Sequence, residues 1–244
     1  RPEVGEPVDW AVDYVYDSLN RRIASLYDSD GDATVDREER YVWDGNNIAL
    51  DFVDPDGATG GEQSAPLALA TRYLWGQAVD QLLAQEAVDD GGPEDVAWPV
   101  TDNLGSVRSL ADTTGAVTAT FSYDTYGTVT VLEGSLTDTR YLYTCQEYDL
   151  ATGLYYYNAR WYDPATGRFV SEDPIGFNGS PWNLYEYVEN SPTNATDPGG
   201  LAPPSGSQPK PGGSIYGNGN GIGVRYVRVN PDGSKCVYTW IVDP

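Results

Sequence analysis

Carboxylates are the abundant reactive groups in this chain. Its 244 residues carry 37 Asp and Glu against 14 Lys and Arg, with no His and only two cysteines, Cys145 and Cys236. Ser-His-Asp and Cys-His nucleophile systems cannot be assembled from that inventory, nor can His-ligated or four-cysteine zinc sites. What remains is chemistry on carboxylates, hydroxyls, amides or an oxygen-bound metal. Two carboxylates close together in a partly buried site can hydrolyse a peptide bond because both cannot ionise at once. The ionised one takes a proton from water, and the protonated one donates to the carbonyl oxygen or the leaving amine. Asp-Pro occurs five times, at 54, 163, 173, 197 and 243. Each is ordinarily a turn opener whose Asp bonds the local backbone, so the dipeptide by itself does not single out a reactive pair.

A second set of acids has the spacing of a cation loop. Asp28, Asp30, Asp32, the carbonyl of Thr34, Asp36 and Glu39 fall at positions 1, 3, 5, 7, 9 and 12 of an EF-hand-type loop, the oxygen pattern that calcium takes. Ala33 stands where that loop needs Gly, and the sequence after Glu39 reads as strand rather than helix. The competing reading is a solvated acidic hairpin loop. No other cofactor is called for.

The elements that must carry these residues are β-strands. Gly 27 and Pro 17 supply turns, and Tyr 19 with Trp 7 supply most of the bulk to be buried, as in short aromatic strands joined by many turns. In 117–123, Val117, Ala119, Phe121 and Tyr123 alternate with Thr118, Thr120 and Ser122, which is period two. A unit of aromatic, Asp and turn residue recurs at Tyr16-Asp17, Trp43-Asp44 and Tyr123-Asp124, with the Asp expected to cap the turn that follows. The stretch 67–88 (LALATRYLWGQAVDQLLAQEAV) has helical propensity, although Gly76 could be the turn of a hairpin. Residues 201–221 form a Pro/Gly/Ser linker, and Asn230-Pro231-Asp232-Gly233 between two strand-like runs predicts a hairpin. A lone hairpin is marginal in water, so this one is expected to dock on the body of the chain or on another molecule.

A net charge of −23 repels phosphate backbones and anionic lipid surfaces, which excludes nucleic-acid and membrane-surface partners. No apolar run reaches the roughly 18 residues of a membrane span. The start at Arg1, with no initiator Met and no signal peptide, predicts a fragment or processed product of something longer. For the cysteines two readings stand. One is a pair of separate buried thiols. The other is a Cys145–Cys236 bridge, within one chain or between two, holding the C-terminal hairpin.

The run Tyr148-Asp149-Leu150-Ala151-Thr152-Gly153-Leu154-Tyr155-Tyr156-Tyr157-Asn158-Ala159-Arg160-Trp161-Tyr162-Asp163-Pro164 continues through Gly167-Arg168-Phe169 and Glu172-Asp173-Pro174-Ile175-Gly176 to Asp197-Pro198-Gly199-Gly200-Leu201. It resembles the RHS-repeat-associated core domain, which closes the YD-repeat β-shells of RHS polymorphic toxins and of the C component of ABC toxin complexes. The upstream Tyr-Asp units and Asp102-Asn103-Leu104-Gly105-Ser106 resemble the preceding repeats, so the likeness covers about residues 13–201. Cys145 stands where the family usually has Gly, and Asn103 where His is common.

The resemblance implies an all-β chain: YD-repeat strands with the acidic loop at 1–71, the core domain at 72–201, a linker at 202–221 and a C-terminal hairpin at 222–244. It implies an intramolecular aspartyl protease, with Asp173 and Asp197 as the catalytic carboxylates, Glu186 in support, and Leu201–Ala202 as the bond cut. Partners would be the rest of a longer chain or further copies, and the location secreted or at the cell surface. The 43 residues after Leu201 are too few to bury a core of their own without a staple, so toxin activity is not expected within this chain. The alternative is a structural or adhesive β-module with an idle carboxylate pair, associating through its C-terminal hairpin.

Overall fold

The computed structural model describes residues 10–57, 66–88, 96–178 and 182–201, and the backbone of two further strands at 222–229 and 235–242. Among the described residues there are strands, turns and short 3₁₀ segments but no α-helix, in agreement with the all-β expectation. Correspondingly, no helix is long and apolar enough to cross a membrane. The chain divides into two compact units, one of residues 1–72, 87–89 and 216–244, the other of 73–86 and 90–215.

In the first unit, β1 (Ala11–Tyr16), β2 (Arg22–Asp28), β3 (Arg37–Asp44) and β4 (Asn47–Asp54) pair antiparallel in chain order. Period two is explicit in β1, where Val12, Tyr14 and Tyr16 are buried and their neighbours are not. Arg22 lies buried between the rings of Tyr14 and Tyr41, its Cζ 5.3 and 5.0 Å from their centroids. The other edge of β1 is taken by β15 (Ile222–Val229), which pairs with β16 (Lys235–Val242) as the hairpin expected from Asn-Pro-Asp-Gly.

The helical propensity of 67–88 is overruled. β5 (Ala68–Trp75) and β6 (Leu82–Ala87) form a hairpin closed by the Gly76 N–H on the Gln81 carbonyl at 2.8 Å, and β5 pairs with β4 from Val53↔Ala68 to Leu50↔Arg72. Pairing along the backbone outweighs the few tenths of a kcal/mol per residue that Ala, Leu and Gln gain in a helix.

The second unit continues with β7 (Val96–Thr101), β8 (Val107–Ala111), β9 (Val117–Tyr123) and β10 (Val129–Glu133), paired in order, and a four-stranded sheet of β11 (Glu147–Asp149), β12 (Leu154–Tyr157), β13 (Arg160–Asp163) and β14 (Arg168–Phe169). Four turns share one construction. Asp17, Asp102, Asp112 and Asp124 each accept, through Oδ1, the N–H groups two and four residues on, at 2.8–3.0 Å. The residue three on has positive φ, being Asn20, Gly105, Gly115 or Gly127. Of the recurring units, Asp17 and Asp124 thus clamp their turns as expected. Between the sheets lies an aromatic core of Phe121, Tyr143, Tyr155, Tyr157, Tyr162, Phe169 and Tyr187. Its buried hydroxyls are satisfied locally, Tyr155 donating to Gly127 O at 2.9 Å and Tyr162 to Tyr126 O at 2.7 Å.

Candidate active site

The turn between β12 and β13 builds the site. Asn158 takes φ +55° there, a conformation Asn tolerates, and its Nδ2 donates to Pro198 O at 3.0 Å while Ala159 N–H donates to Gly199 O at 3.2 Å. The Asp-Pro-Gly-Gly segment is thereby laid along the turn. Gly200 must be glycine: its φ is +65°, and a Cβ would fall 2.2 Å from the Tyr157 carbonyl oxygen. Tyr157 pairs with Arg160, so the arginine enters β13 at the same end, fully buried, with its guanidinium 3.6 Å from the centroid of Phe169.

From there one cation organises everything polar. Arg160 Nη2 lies 3.0 Å from Asp173 Oδ2 and 3.5 Å from Asp197 Oδ2. Its Nη1 donates to Leu184 O at 3.1 Å, and its Nε to Gly200 O. Asp173 is fixed by its own turn, Oδ1 accepting from Ile175 N–H at 2.9 Å and its N–H donating to Leu184 O at 2.9 Å. Asp197 Oδ1 accepts from the Leu201 N–H at 2.9 Å. The two carboxylates, 6% and 2% exposed, therefore share one guanidinium, and one of them touches the residue preceding the expected cut.

Burial pushes the Asp197 carboxyl up to about 6; the Leu201 N–H and Arg160 oppose that rise, while the charge of Asp173 adds to it. Arg160 is lowered from its ordinary value, chiefly by burial, against the pull of both carboxylates. A further acid belongs to this neighbourhood. Asp80, in the β5–β6 turn at φ +53°, accepts from Gln146 Nε2 at 2.8 Å. Burial pushes its carboxyl up to about 7, with the charge of Asp197 contributing.

Of the residues singled out from the sequence, the structure brings Asp173, Asp197 and Leu201 together, whereas Ala202 lies outside the described residues. Glu186 has one carboxylate oxygen on Asn190 Nδ2, within its own loop. Arg160 and Asp80 were not anticipated. The available signal for Arg160 was a cation inside the aromatic run Tyr155-Tyr156-Tyr157-Asn158-Ala159-Arg160-Trp161-Tyr162, which must be buried and hence paired.

In the acidic loop, carboxylate oxygens of Asp28, Asp30 and Asp36 come within 4.8 Å of one another. Most of the loop's acids bond the loop itself: Asp28 takes Gly31 and Ala33 N–H, Asp32 takes Thr34 N–H, and Asp36 takes Ser29 N–H. Glu39 instead sits in β3, paired with Arg37 at 2.8 Å and accepting from Tyr41 OH at 2.8 Å. Three of the six expected ligands are thus gathered, while Glu39, expected at position 12, is engaged in β3. Cys145 is a buried free thiol that burial pushes up to about 12. The side chain of Cys236, and with it the bridge, lies outside the described residues.

No family model matches the chain. Over 207 residues it is 32% identical to Toxin protein Tse5 of Pseudomonas aeruginosa, covering 78% of this chain and 15% of that protein. Over 197 residues it is 31% identical to Double-stranded DNA deaminase toxin A of Burkholderia cenocepacia, covering 78% of this chain and 14% of that one. The chain thus spans only about a seventh of the length of these relatives. Among solved structures it resembles TcdB2-TccC3 without its hypervariable C-terminal region, with a TM-score of 0.62 at 25% identity, over 82% of this chain and 9% of that one.

Proposed function

The chain belongs to the RHS/YD-repeat family of toxins and ABC-toxin C components, and on that premise we propose that it is the C-terminal part of an RHS shell protein that cuts its own backbone between Leu201 and Ala202. The observation that carries this is the pair of buried carboxylates bridged by Arg160, with Asp197 bonded to the Leu201 N–H. Asp173, closer to the guanidinium, acts as the base, and Asp197, which burial favours in its neutral form, acts as the acid. Water attacks the Leu201 carbonyl carbon and loses a proton to Asp173. Asp197 gives its proton to the Ala202 nitrogen as the C–N bond breaks. Arg160 holds both oxygens in place and offsets the charge that develops.

Such a protein works outside the cell that makes it, secreted or at the surface, with the remainder of its own chain as first partner. The test is substitution of each acid by its amide. Asp173→Asn and Asp197→Asn are expected to leave a full-length chain on denaturing electrophoresis where the parent gives two pieces. Cutting of either variant at the parent's rate overturns the assignment.

A further inference from the structure

Two turns of the second unit adopt a conformation to which their residues are poorly suited. In the 3₁₀ turn Tyr143–Cys145, Thr144 has φ +49° and Cys145 φ +57°; in the turn Val188–Asn190 the values run +42°, +53° and +56°. Thr144 and Val188 are β-branched, the class of residue for which left-handed backbone is a genuine outlier. Both are buried. Strain of this kind persists only where the surroundings over-determine it, and it gathers at functional sites.

Here the surroundings are hydroxyls. Thr144 Oγ1 lies 2.8 Å from Tyr157 OH, and Tyr157 donates to Tyr187 OH at 3.2 Å. A phenol carries one hydrogen, so Tyr157 takes the first of these bonds from Thr144. Thr144 is anchored in turn by its N–H on Ser106 Oγ at 3.0 Å. The chain thus joins one strained turn to Tyr187, the residue that opens the other, and its middle member is the last residue of β12. Tyr157 pairs with Arg160, its carbonyl lies against Gly200, and it immediately precedes the Asn158 turn that holds Pro198 and Gly199. The Tyr187 ring packs 5.9 Å from Phe169, the ring under the Arg160 guanidinium. Burial above all pushes the Tyr157 and Tyr187 hydroxyls up, so both stay neutral and keep the hydrogens that the chain requires.

We propose that Thr144, Tyr157 and Tyr187 are positioning residues for the self-cleavage proposed above: their hydroxyl chain locks the two left-handed turns and so holds the Asn158 turn, with Gly199 and Gly200 along it, where Leu201 reaches Asp197. None of the three touches the bond to be cut. The role in cleavage rests on the autoprotease reading, whereas the holding of the segment does not, and each has its own measurement.

The full chain is made by cell-free synthesis, and the uncut fraction is followed with time well below the melting temperature. Tyr157→Phe removes one oxygen from the middle of the chain and leaves the rings in place. It is expected to slow cleavage about tenfold or more, since small displacements of reacting groups are costly. Thr144→Val keeps the shape but not the hydroxyl and should do the same, while Thr144→Ser, which returns the hydroxyl, regains most of the parent's rate. Hydrogen exchange is read in the chain held whole by Asp173→Asn. There Tyr157→Phe is expected to speed exchange at Ala159, Gly200 and Leu201 about tenfold and to leave Leu110 and Ala119, in β8 and β9, unchanged. A variant that merely weakened the fold would speed all five alike. Cutting of Tyr157→Phe at the parent's rate overturns the inference, as does a Thr144→Ser chain as slow as Thr144→Val, or unchanged exchange at Ala159, Gly200 and Leu201. If Tyr157→Phe also loses protection at Leu110 and Ala119, Tyr187→Phe, which removes only the last oxygen of the chain, is put to the same two measurements. Loss at Leu110 and Ala119 in both variants would make the hydroxyls part of the general core and overturn the inference. If the parent never cuts itself while Tyr157→Phe still frees the three N–H groups, the holding of the segment stands and the autoprotease reading fails.

Discussion

Replacing Arg160 by alanine would leave Asp173 and Asp197 buried with no cation between them. A broken buried pair costs about 3–5 kcal/mol, so the variant should melt well below the parent and leave its chain uncut. Arg160→Lys keeps the charge but not the fork that reaches Asp173, Asp197, Leu184 O and Gly200 O together. It is expected to recover part of the stability and little of the cleavage, a split that thermal melts and electrophoresis on the same samples would show. Asp197 makes a second prediction. Its folded value, about 6, is raised above the ordinary 3.8, so the stability it contributes is complete below about 4 and is lost as pH rises through 6. That is about 3 kcal/mol at most, and Asp197→Asn should flatten this part of the pH–stability curve. If the neutral acid is the proton donor, cleavage on dilution from denaturant should slow about tenfold per pH unit above 6. A rate that climbs steadily to pH 8 would contradict that role. At this scale the sequence was only partly legible. Five Asp-Pro dipeptides look alike in isolation, and Asp173 with Asp197 stood out only through the motif around them. Arg160 stayed hidden because its partner Asp197 lies 37 residues away.

The strands and turns were easier to read, because their determinants are local. At Tyr16-Asp17 and Tyr123-Asp124 one carboxylate oxygen clamps two N–H groups of the turn, with Asn20 or Gly127 at the positive-φ position, and nothing distant is needed to build it. Asp124→Ala would remove the bonds to Tyr126 and Thr128 N–H and is expected to cost about 1–2 kcal/mol. Asp124→Asn, which keeps an acceptor oxygen, should cost less; equal losses in denaturant melts would show that the clamp is not what matters. Gly200→Ala tests the other kind of turn. Its Cβ meets the Tyr157 carbonyl at 2.2 Å, so the Asp197–Leu201 segment must move off the β12–β13 turn, and cleavage should fall even if the sheets survive. In the stretch 67–88 propensity points to a helix and Gly76 to a hairpin, and the hairpin is what forms. Its residues favour a helix one by one, but β4 presents a paired edge to Ala68–Arg72, and that information lies outside the segment. In the acidic loop the spacing brings Asp28, Asp30 and Asp36 together, whereas the alternation of β3 commits Glu39 to Arg37 and Tyr41.

At the level of the whole molecule, a strongly acidic all-β chain carries one buried cation-bridged carboxylate pair and, beyond a linker, a hairpin that returns to its first strand. Because the chain covers about a seventh of its relatives' length, self-cleavage is the part of the proposal that this chain can be asked to show alone. The most direct test is the denaturing mass of freshly made protein, parent beside Asp173→Asn. The account predicts two pieces from the parent, the smaller beginning at Ala202, and a single chain of 26.5 kDa from the variant. A parent that stays at 26.5 kDa after folding, or a variant cut at the same bond, would contradict it.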